Sequence, residues 1–330
     1  MIPVSVIVCH HTGNFVPAMI ASVRKSICVE PEIIVVTSDK SASFDATTIY
    51  ANTGPAEKRN IGAKFAKSDY LFFLDDDTEL APTFLNEMVT ALKKPGVGMA
   101  YGKTLNMERR KMLDNAGSYL TWTGFLWARE ESGQVEDKGQ FDTPEYIFAG
   151  KGAAMALRRD TFEKVGGFDP VYEILAEETD ISWKVWFIGE KVVWVPKAVL
   201  YHAFNTRFKK WSYFYTDKRV FQNGSHNYIS MLSILLEWKN WFRIVPITFT
   251  VWFLAGIGMF FTKKPSAGFH ILKGLFLVFT RWKNILERRK FAQSLRTKSD
   301  KELFKTIMRQ PKLSFYWKRF FFYLINARHG

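Results

Sequence analysis

Three short runs of apolar, β-branched or aromatic residues lie in the first 75 positions: Val4 to Val8 (VSVIV), Glu32 to Thr37 (EIIVVT) and Tyr70 to Leu74 (YLFFL). Runs apolar on both faces and bounded by polar residues predict buried strands of a mainly parallel sheet. Helical patterns lie between and after them. Pro55 suits a first helical turn, and Ile61 and Phe65 then fall four apart. Pro82 opens a second pattern, with Phe84, Leu85, Met88, Val89 and Leu92 on one face. A third opens at Glu177, carries Ile181, Val185 and Ile188 on one stripe and stops at Gly189; Val192 to Val195 then reads as a strand. This alternation implies an α/β fold. In such sheets ligands bind outside the carboxyl ends of the strands.

The pattern changes after residue 202. Ile244 to Thr262 is an uncharged run close to the ~20 residues that span a bilayer. A shorter apolar stretch, Ser266 to Thr280, holds Lys273. Charge changes at the same place. Residues 1–202 have a balance of −5 and residues 203–330 a balance of +19, within a total of +14. We therefore divide the chain into a body, 1–202, and a basic, aromatic, mostly helical region, 203–330. A basic tail implies an anionic partner. The apolar content and the lack of a recognition motif favour a membrane surface over nucleic acid. A single span would put one very basic flank outside, against the positive-inside tendency. A hairpin or amphipathic helices around 238–290 keep both flanks on one side, with Trp238, Trp241, Trp282 and Trp317 suited to the interface. The competing reading is a core helix of a soluble subdomain or a dimer interface, and an oligomer is compatible with the sequence.

The first strand-like runs also end on chemistry. Tyr70–Leu74 runs straight into Asp75, Asp76 and Asp77. Adjacent carboxylates repel, and burying them without compensation is costly. A divalent cation shared with a phosphate would compensate them; the plain alternative is a solvated acidic turn. Glu177, Glu178 and Asp180 open a helix, where the macrodipole favours acids. Asp180 reads as a cap, and Glu177 and Glu178 as groups that face a cleft. Cys9 and Cys28 are too few for a disulfide framework and read as reduced thiols of an intracellular protein. The first residues have neither a basic start nor a long apolar stretch, so no signal peptide is expected.

Taken in order, VSVIV, EIIVVT, GPAEKRNIGAKFAKSDYLFFLDDD, GKGAAMALRRDTFEKVGGFD, EETDISWKVWFIGEKVVWVP and YH resemble the family 2 glycosyltransferases of the GT-A fold. The nearest branch is the rhamnosyl- and galactofuranosyl-transferase-like enzymes of bacterial surface polysaccharides. The resemblance implies a Rossmann-like body and assigns roles. Asp75 and Asp77 end a DxD motif that meets the nucleotide ribose and the metal, with Asp76 assisting; Mn²⁺ or Mg²⁺ is the implied cofactor. His202 completes the metal site in some members. Arg59, with Asn60 and Gly62, matches a motif near the nucleotide base. Gly152 and Ala153 match the loop on which donor and acceptor pack. Trp183 and the Gly166–Asp169 turn, with Gly167 and Phe168, are expected on the acceptor side.

Three places depart from the family pattern, the first being the loop after the first strand, which reads His10-His11-Thr12. The usual Glu-Asp is Glu177-Glu178 here, so Glu178 takes the place of the catalytic base, with Glu177 or Asp180 as alternatives one register away. After the second strand the chain reads Thr37-Ser38-Asp39-Lys40, and Asp39 is the candidate for base contact. The implied reaction is an inverting displacement on a nucleotide sugar by a hydroxyl of a glycan or polyprenyl-diphosphate-linked acceptor. An ordinary carboxyl pKa near ~4.3 would leave that base ionised at neutral pH. The implied location is the inner face of the cell membrane. Two other readings compete. FFLDDDT fits the first motif of haloacid-dehalogenase-like phosphatases, with Asp75 as nucleophile, Asp77 as acid/base and Thr78 closing the motif. The altered loops also fit an inactive membrane-bound scaffold.

Overall fold

The computed structural model describes residues 1–11, 13–129, 135–203 and 218–316; Trp317 lies outside them. The chain divides into two units. Described residues within 1–119, 128–173 and 177–204 form the first, and those within 120–127, 174–176 and 205–330 the second.

In the first unit the apolar runs become the centre of one sheet. Strands β1 (Ile2–His10), β2 (Val29–Thr37) and β3 (Thr47–Tyr50) are joined by helix α1 (Val16–Arg24) and by loops. Helix α2 (Pro55–Phe65) leads to β4 (Tyr70–Asp75), β5 (Thr78–Leu80), α3 (Phe84–Leu92), β6 (Val97–Asn106) and β7 (Leu113–Asn115). A small hairpin, β8 (Ser118–Leu120) and β9 (Leu126–Ala128), forms a separate two-stranded sheet, of which residues 120–127 belong to the second unit. Then come β10 (Glu145–Tyr146), β11 (Ala154–Arg158), α4 (Arg159–Lys164), α5 (Glu177–Phe187) and β12 (Lys191–His202). The main sheet runs β10-β12-β6-β11-β4-β1-β2-β3, with β5 added to β12 and β7 to β6. β1 pairs in parallel with both β2 and β4, as do β2 with β3 and β6 with β12; β11 is inserted antiparallel between β4 and β6. The sheet is mixed but mainly parallel, as the doubly apolar strands predict.

Close packing explains some of its composition. A Cβ on Gly62 of α2 would overlap Ile7 Cγ2 of β1, so only glycine lets this helix lie against the sheet. Strand β6 carries two glycines and several polar residues, which hides it from a pattern search. A Cβ on Gly102 would come within 2.5 Å of Phe84 and 2.8 Å of the Ala198 carbonyl.

The second unit holds α6 (Lys218–Leu235), α7 (Trp238–Met259), α8 (Pro265–Thr280), α9 (Trp282–Ser294) and α10 (Asp300–Ile307). Ser225 of α6 donates to the Ile271 carbonyl of α8 at 2.9 Å. Asp300 is fully buried and accepts from Glu237 N and Asn240 Nδ2, which fixes the start of α7. α7 has Pro246 inside it, is 22 residues long with a mean hydropathy of 1.6 over its most apolar window, and has 28% of that window buried. It is long and apolar enough to cross a membrane. Its exposed side includes Phe242, Phe253, Leu254 and Ile257, with Phe260 exposed just past its end, and α8 exposes Phe269, Phe276 and Phe279.

Candidate active site

Strand β4 ends at Asp75, and the chain turns through Asp76 and Asp77 into β5. Thr78 Oγ1 donates to the Asp75 carbonyl at 2.8 Å and tightens that turn. β5 pairs antiparallel with the end of β12, setting His202 opposite Thr78. The result is that Asp75, Asp77 and His202 bring one ligand atom each within 4.8 Å of one another. His202 Nε2 lies 3.3 Å from Asp77 Oδ1, and its Nδ1 lies 2.9 Å from Asp114 Oδ2.

This donor set fits a divalent cation. A neutral imidazole that gives its Nδ1 proton to Asp114 turns a lone pair from Nε2 toward a carboxylate oxygen. Two acceptors at that distance need a cation or a proton between them. In the chain alone the proton supplies it. Burial pulls His202 down, but its bonds to Asp114 and Asp77 outweigh that and push it up to about 10. Asp114 shows the converse: burial raises it, while Lys151 and His202 hold it below the ordinary carboxylate range.

Besides the cation expected beside the three aspartates, Arg59 of α2 brings a positive charge to the first of them. Its Nη2 donates to Asp75 Oδ1 at 3.2 Å and its Nη1 to Glu177 Oε1 at 3.0 Å. The side chain is 3% exposed and stacks over the Phe168 ring at 5.4 Å. The guanidinium therefore bridges two acids. Asp75 remains above its ordinary pKa, because burial outweighs Arg59 and His202. Asp76 is buried, and its charge acts on Lys58, whose Nζ donates to the His10 carbonyl at 2.6 Å.

Next to Arg59, Asn60 braces the turn ahead of α5. Its Oδ1 accepts from Phe168 N and its Nδ2 donates to Phe168 O, at 2.9 and 2.8 Å. Gly167 takes a φ of +69°, which favours glycine. Phe168 itself is 1% exposed and packs against Phe73 and Phe162. Trp183 is fully buried against Phe148 and Phe187. Both rings are buried in the core, so any part in shaping the acceptor side is through packing and not contact. Gly152 sits against Arg59, where a Cβ would lie 3.0 Å from Nη2, and Ala153 is buried beside it.

The acids of α5 separate by environment. Asp180 is fully buried, 2.6 Å from Lys184, with Tyr172 donating to it at 3.4 Å. It is a structural ion pair, and that removes it as an alternative base. Glu177 is committed to Arg59. Glu178 is partly exposed in the first turn, and its carbonyl accepts from Ser182 Oγ at 2.6 Å and Tyr101 OH at 3.2 Å. Burial, and then the neighbouring Glu177 charge, push its carboxyl up to about 8. Its protonated form is therefore favoured more than in an ordinary glutamate. Asp39 is exposed at the end of β2 and accepts from Ser41 N at 2.8 Å and Oγ at 2.7 Å.

Residues 5–166 match the Glycosyl transferase family 2 model. The span includes Asp75 to Thr78, which leaves the phosphatase reading of that motif without support. The O-antigen biosynthesis protein RfbC of Myxococcus xanthus is 26% identical over 179 residues, covering 53% of this chain and 13% of that protein. An uncharacterized glycosyltransferase of Haemophilus influenzae is 26% identical over 184 residues, covering 52% of this chain and 57% of that protein. The chain thus spans just over half of one relative and a small part of the other. Among solved structures, GalNAc-T7 with UDP, GalNAc and Mn²⁺ superposes with a TM-score of 0.62 at 17% identity, covering 96% of this chain and 57% of that one. This likeness shows the fold.

Proposed function

We propose that this chain, whose first unit carries a Glycosyl transferase family 2 domain of the GT-A fold, moves a sugar from a nucleoside-diphosphate sugar to a hydroxyl of a saccharide acceptor, with inversion. The observation that carries the reading is the convergence of Asp75, Asp77 and His202 at the carboxyl end of a central strand. These three would hold a divalent cation. The mixed carboxylate and imidazole set suits Mn²⁺ better than Mg²⁺, which prefers oxygen. When bound, the cation supplies positive charge against the leaving nucleoside diphosphate.

The remaining roles belong to the chain's own groups. Arg59 neutralises Asp75 and Glu177 together and keeps α2 and α5 in register. Glu178 is the base that takes the acceptor hydroxyl proton. Its raised pKa makes it a stronger base than an ordinary glutamate once ionised. Asp39 is the candidate contact to the nucleotide base, and Gly152, Ala153 and Gly167 keep the backbone near Arg59 and Asn60 close-packed. Asp76 acts through Lys58 at the back of the aspartate turn.

We further propose that the second unit docks on an anionic membrane surface. The exposed aromatic side of α7 and α8 and the +19 charge after residue 202 support this. Such a location fits a lipid-linked glycan acceptor in surface polysaccharide synthesis, and residue patterns of the rhamnosyl- and galactofuranosyl-transferase type point the same way.

The test is a donor screen. Purified chain with Mn²⁺ is offered a panel of nucleotide sugars, and nucleoside diphosphate release is followed. Release from one donor that chelator and Asp77→Ala both abolish is the expected result. Release that survives both would overturn the metal reading. Absence of binding by every nucleoside diphosphate in calorimetry would overturn the transferase reading.

A further inference from the structure

Asp114 belongs to no motif in the sequence, and Lys151 lies in GKGAAMALRRDTFEKVGGFD with no role assigned to it, yet both stand directly behind His202. Asp114 lies on the three-residue strand β7, which pairs with β6, and His202 ends β12, which pairs with β6 as well. Asp114 is 6% exposed and His202 5%. Asp114 Oδ2 lies 2.9 Å from His202 Nδ1. Its other oxygen, Oδ1, accepts from Lys151 Nζ at 2.7 Å, and the same ammonium donates to the Asp114 carbonyl at 2.7 Å. Asn115 Oδ1 accepts from Lys151 N at 3.3 Å, tying the two segments together at a further point.

We infer that Asp114, locked by Lys151, is the outer support of the proposed metal site: it fixes the tautomer and ring orientation of His202. The inference rests on the divalent-metal reading. With both carboxylate oxygens engaged, Asp114 cannot turn away from the ring. Its negative charge holds the imidazole proton on Nδ1. Nε2 is then left as the lone-pair donor, facing Asp77. A buried carboxylate behind a ligating histidine raises the basicity of the ring and removes its rotational freedom, and losing such a partner typically lowers metal affinity about 10–100-fold. Lys151 stands behind Asp114 and acts by holding its carboxylate in place.

A purely structural role makes a different forecast. If Asp114 and Lys151 only staple β7 to the loop before β11, their loss lowers the melting temperature and leaves metal affinity alone. Calorimetric titration of Mn²⁺ and of Mg²⁺, in the presence of a nucleoside diphosphate, separates the two. The proteins are the full chain and its Asp114→Asn, His202→Ala and doubly substituted forms. Asparagine can turn its amide N–H to Nδ1 and so favours the wrong tautomer. The expected result is a loss of Mn²⁺ affinity of about 10-fold or more for Asp114→Asn. Mg²⁺, which gains less from the imidazole, should lose less. No further loss is expected when Asp114→Asn is added to His202→Ala, because a residue that acts through another is silent once that residue is gone. Lys151→Met, at a partly exposed side chain, should weaken Mn²⁺ in the same direction. Full Mn²⁺ affinity in folded Asp114→Asn, or losses that add in the double variant, would overturn the support role while the metal reading stands. Failure of the unsubstituted chain to bind Mn²⁺ would overturn both.

Discussion

Arg59 Nη1 lies 3.0 Å from Glu177 Oε1, a contact between residues 118 positions apart and both nearly shut off from solvent. It joins the helix that precedes the aspartate strand to the helix that carries the candidate base. Removing one partner of a buried pair leaves the other charge uncompensated, at a cost of about 3–5 kcal/mol. Arg59→Ala leaves Glu177 in that state, and Asp75, whose side chain is 35% exposed, only partly so. The expected outcome is a fall in stability of about 3 kcal/mol by urea unfolding, with loss of nucleotide-sugar turnover. Arg59→Lys should recover only part of it, since one ammonium cannot repeat the fork that reaches both carboxylates. Full activity in Arg59→Lys would mean that the bridge has no part in positioning the site.

Glu178 gives a pH signature. Its carboxyl is pushed up to about 8 by burial and by Glu177. A base works only when deprotonated, so kcat/KM should rise with pH and level off above about 8, far from the ~4.3 of an ordinary glutamate. Stability runs the other way. Between the ordinary carboxyl range and about 8 the folded chain binds the proton that the unfolded chain has lost. The stabilising contribution is whole below that range and is lost as pH rises through it. Glu178→Gln should lower kcat by about 10²–10⁴ while leaving donor binding intact, and should flatten this part of the stability profile. An unchanged kcat in the glutamine variant would move the base elsewhere.

The parts of the site legible in the sequence are those written in local patterns. An apolar run that stops on Asp75 to Asp77 locates the end of β4, and the acids at Glu177 locate the start of α5, because each depends only on neighbours. Arg59 was visible as a motif member, but its partners were not, since a bridge over 118 residues has no periodicity. Asp114 was missed because β7 is three residues long and carries no pattern. The full burial of Trp183 was not legible either: α5 is buried on nearly every side, and its stripe of Ile181, Val185 and Ile188 does not announce that. β6 was overlooked because the glycines that let Phe84 and Ala198 approach it also break its apolar run.

The glycine of the Arg59 motif makes a packing prediction independent of chemistry. Gly62→Ala would place a methyl group onto Ile7 of the central strand β1, both in the core of the first unit. Overpacking of this kind costs about 1–3 kcal/mol. Thermal unfolding should show that loss, and Gly62→Ala should cost less in an Ile7→Ala background than alone, because that change removes the clashing Cγ2. A wild-type melting curve for Gly62→Ala alone would mean that α2 can lift from the sheet at no cost.

The second unit can be tested apart from catalysis. On α7 the exposed residues Phe253, Leu254 and Ile257 follow helical spacing along one side, and just past its end Phe260 is exposed and Phe261 is 84% exposed. If this side enters a lipid interface, two forces act together: burial of aromatic area and attraction of the basic residues to anionic headgroups. They respond to different variables. Flotation with vesicles should show binding that grows with the fraction of anionic lipid and weakens as salt screens the charges. Phe253→Glu with Ile257→Glu should reduce binding even at low salt, because it removes the apolar share and adds repulsion. Neutralising Lys263 and Lys264 should instead steepen the dependence on the remaining anionic lipid without abolishing binding to charged vesicles. Binding that is indifferent to Phe253→Glu with Ile257→Glu would leave charge alone as the attraction. Self-association that the same pair of changes disrupts, without vesicle binding, would assign this side of α7 to a second copy of the chain.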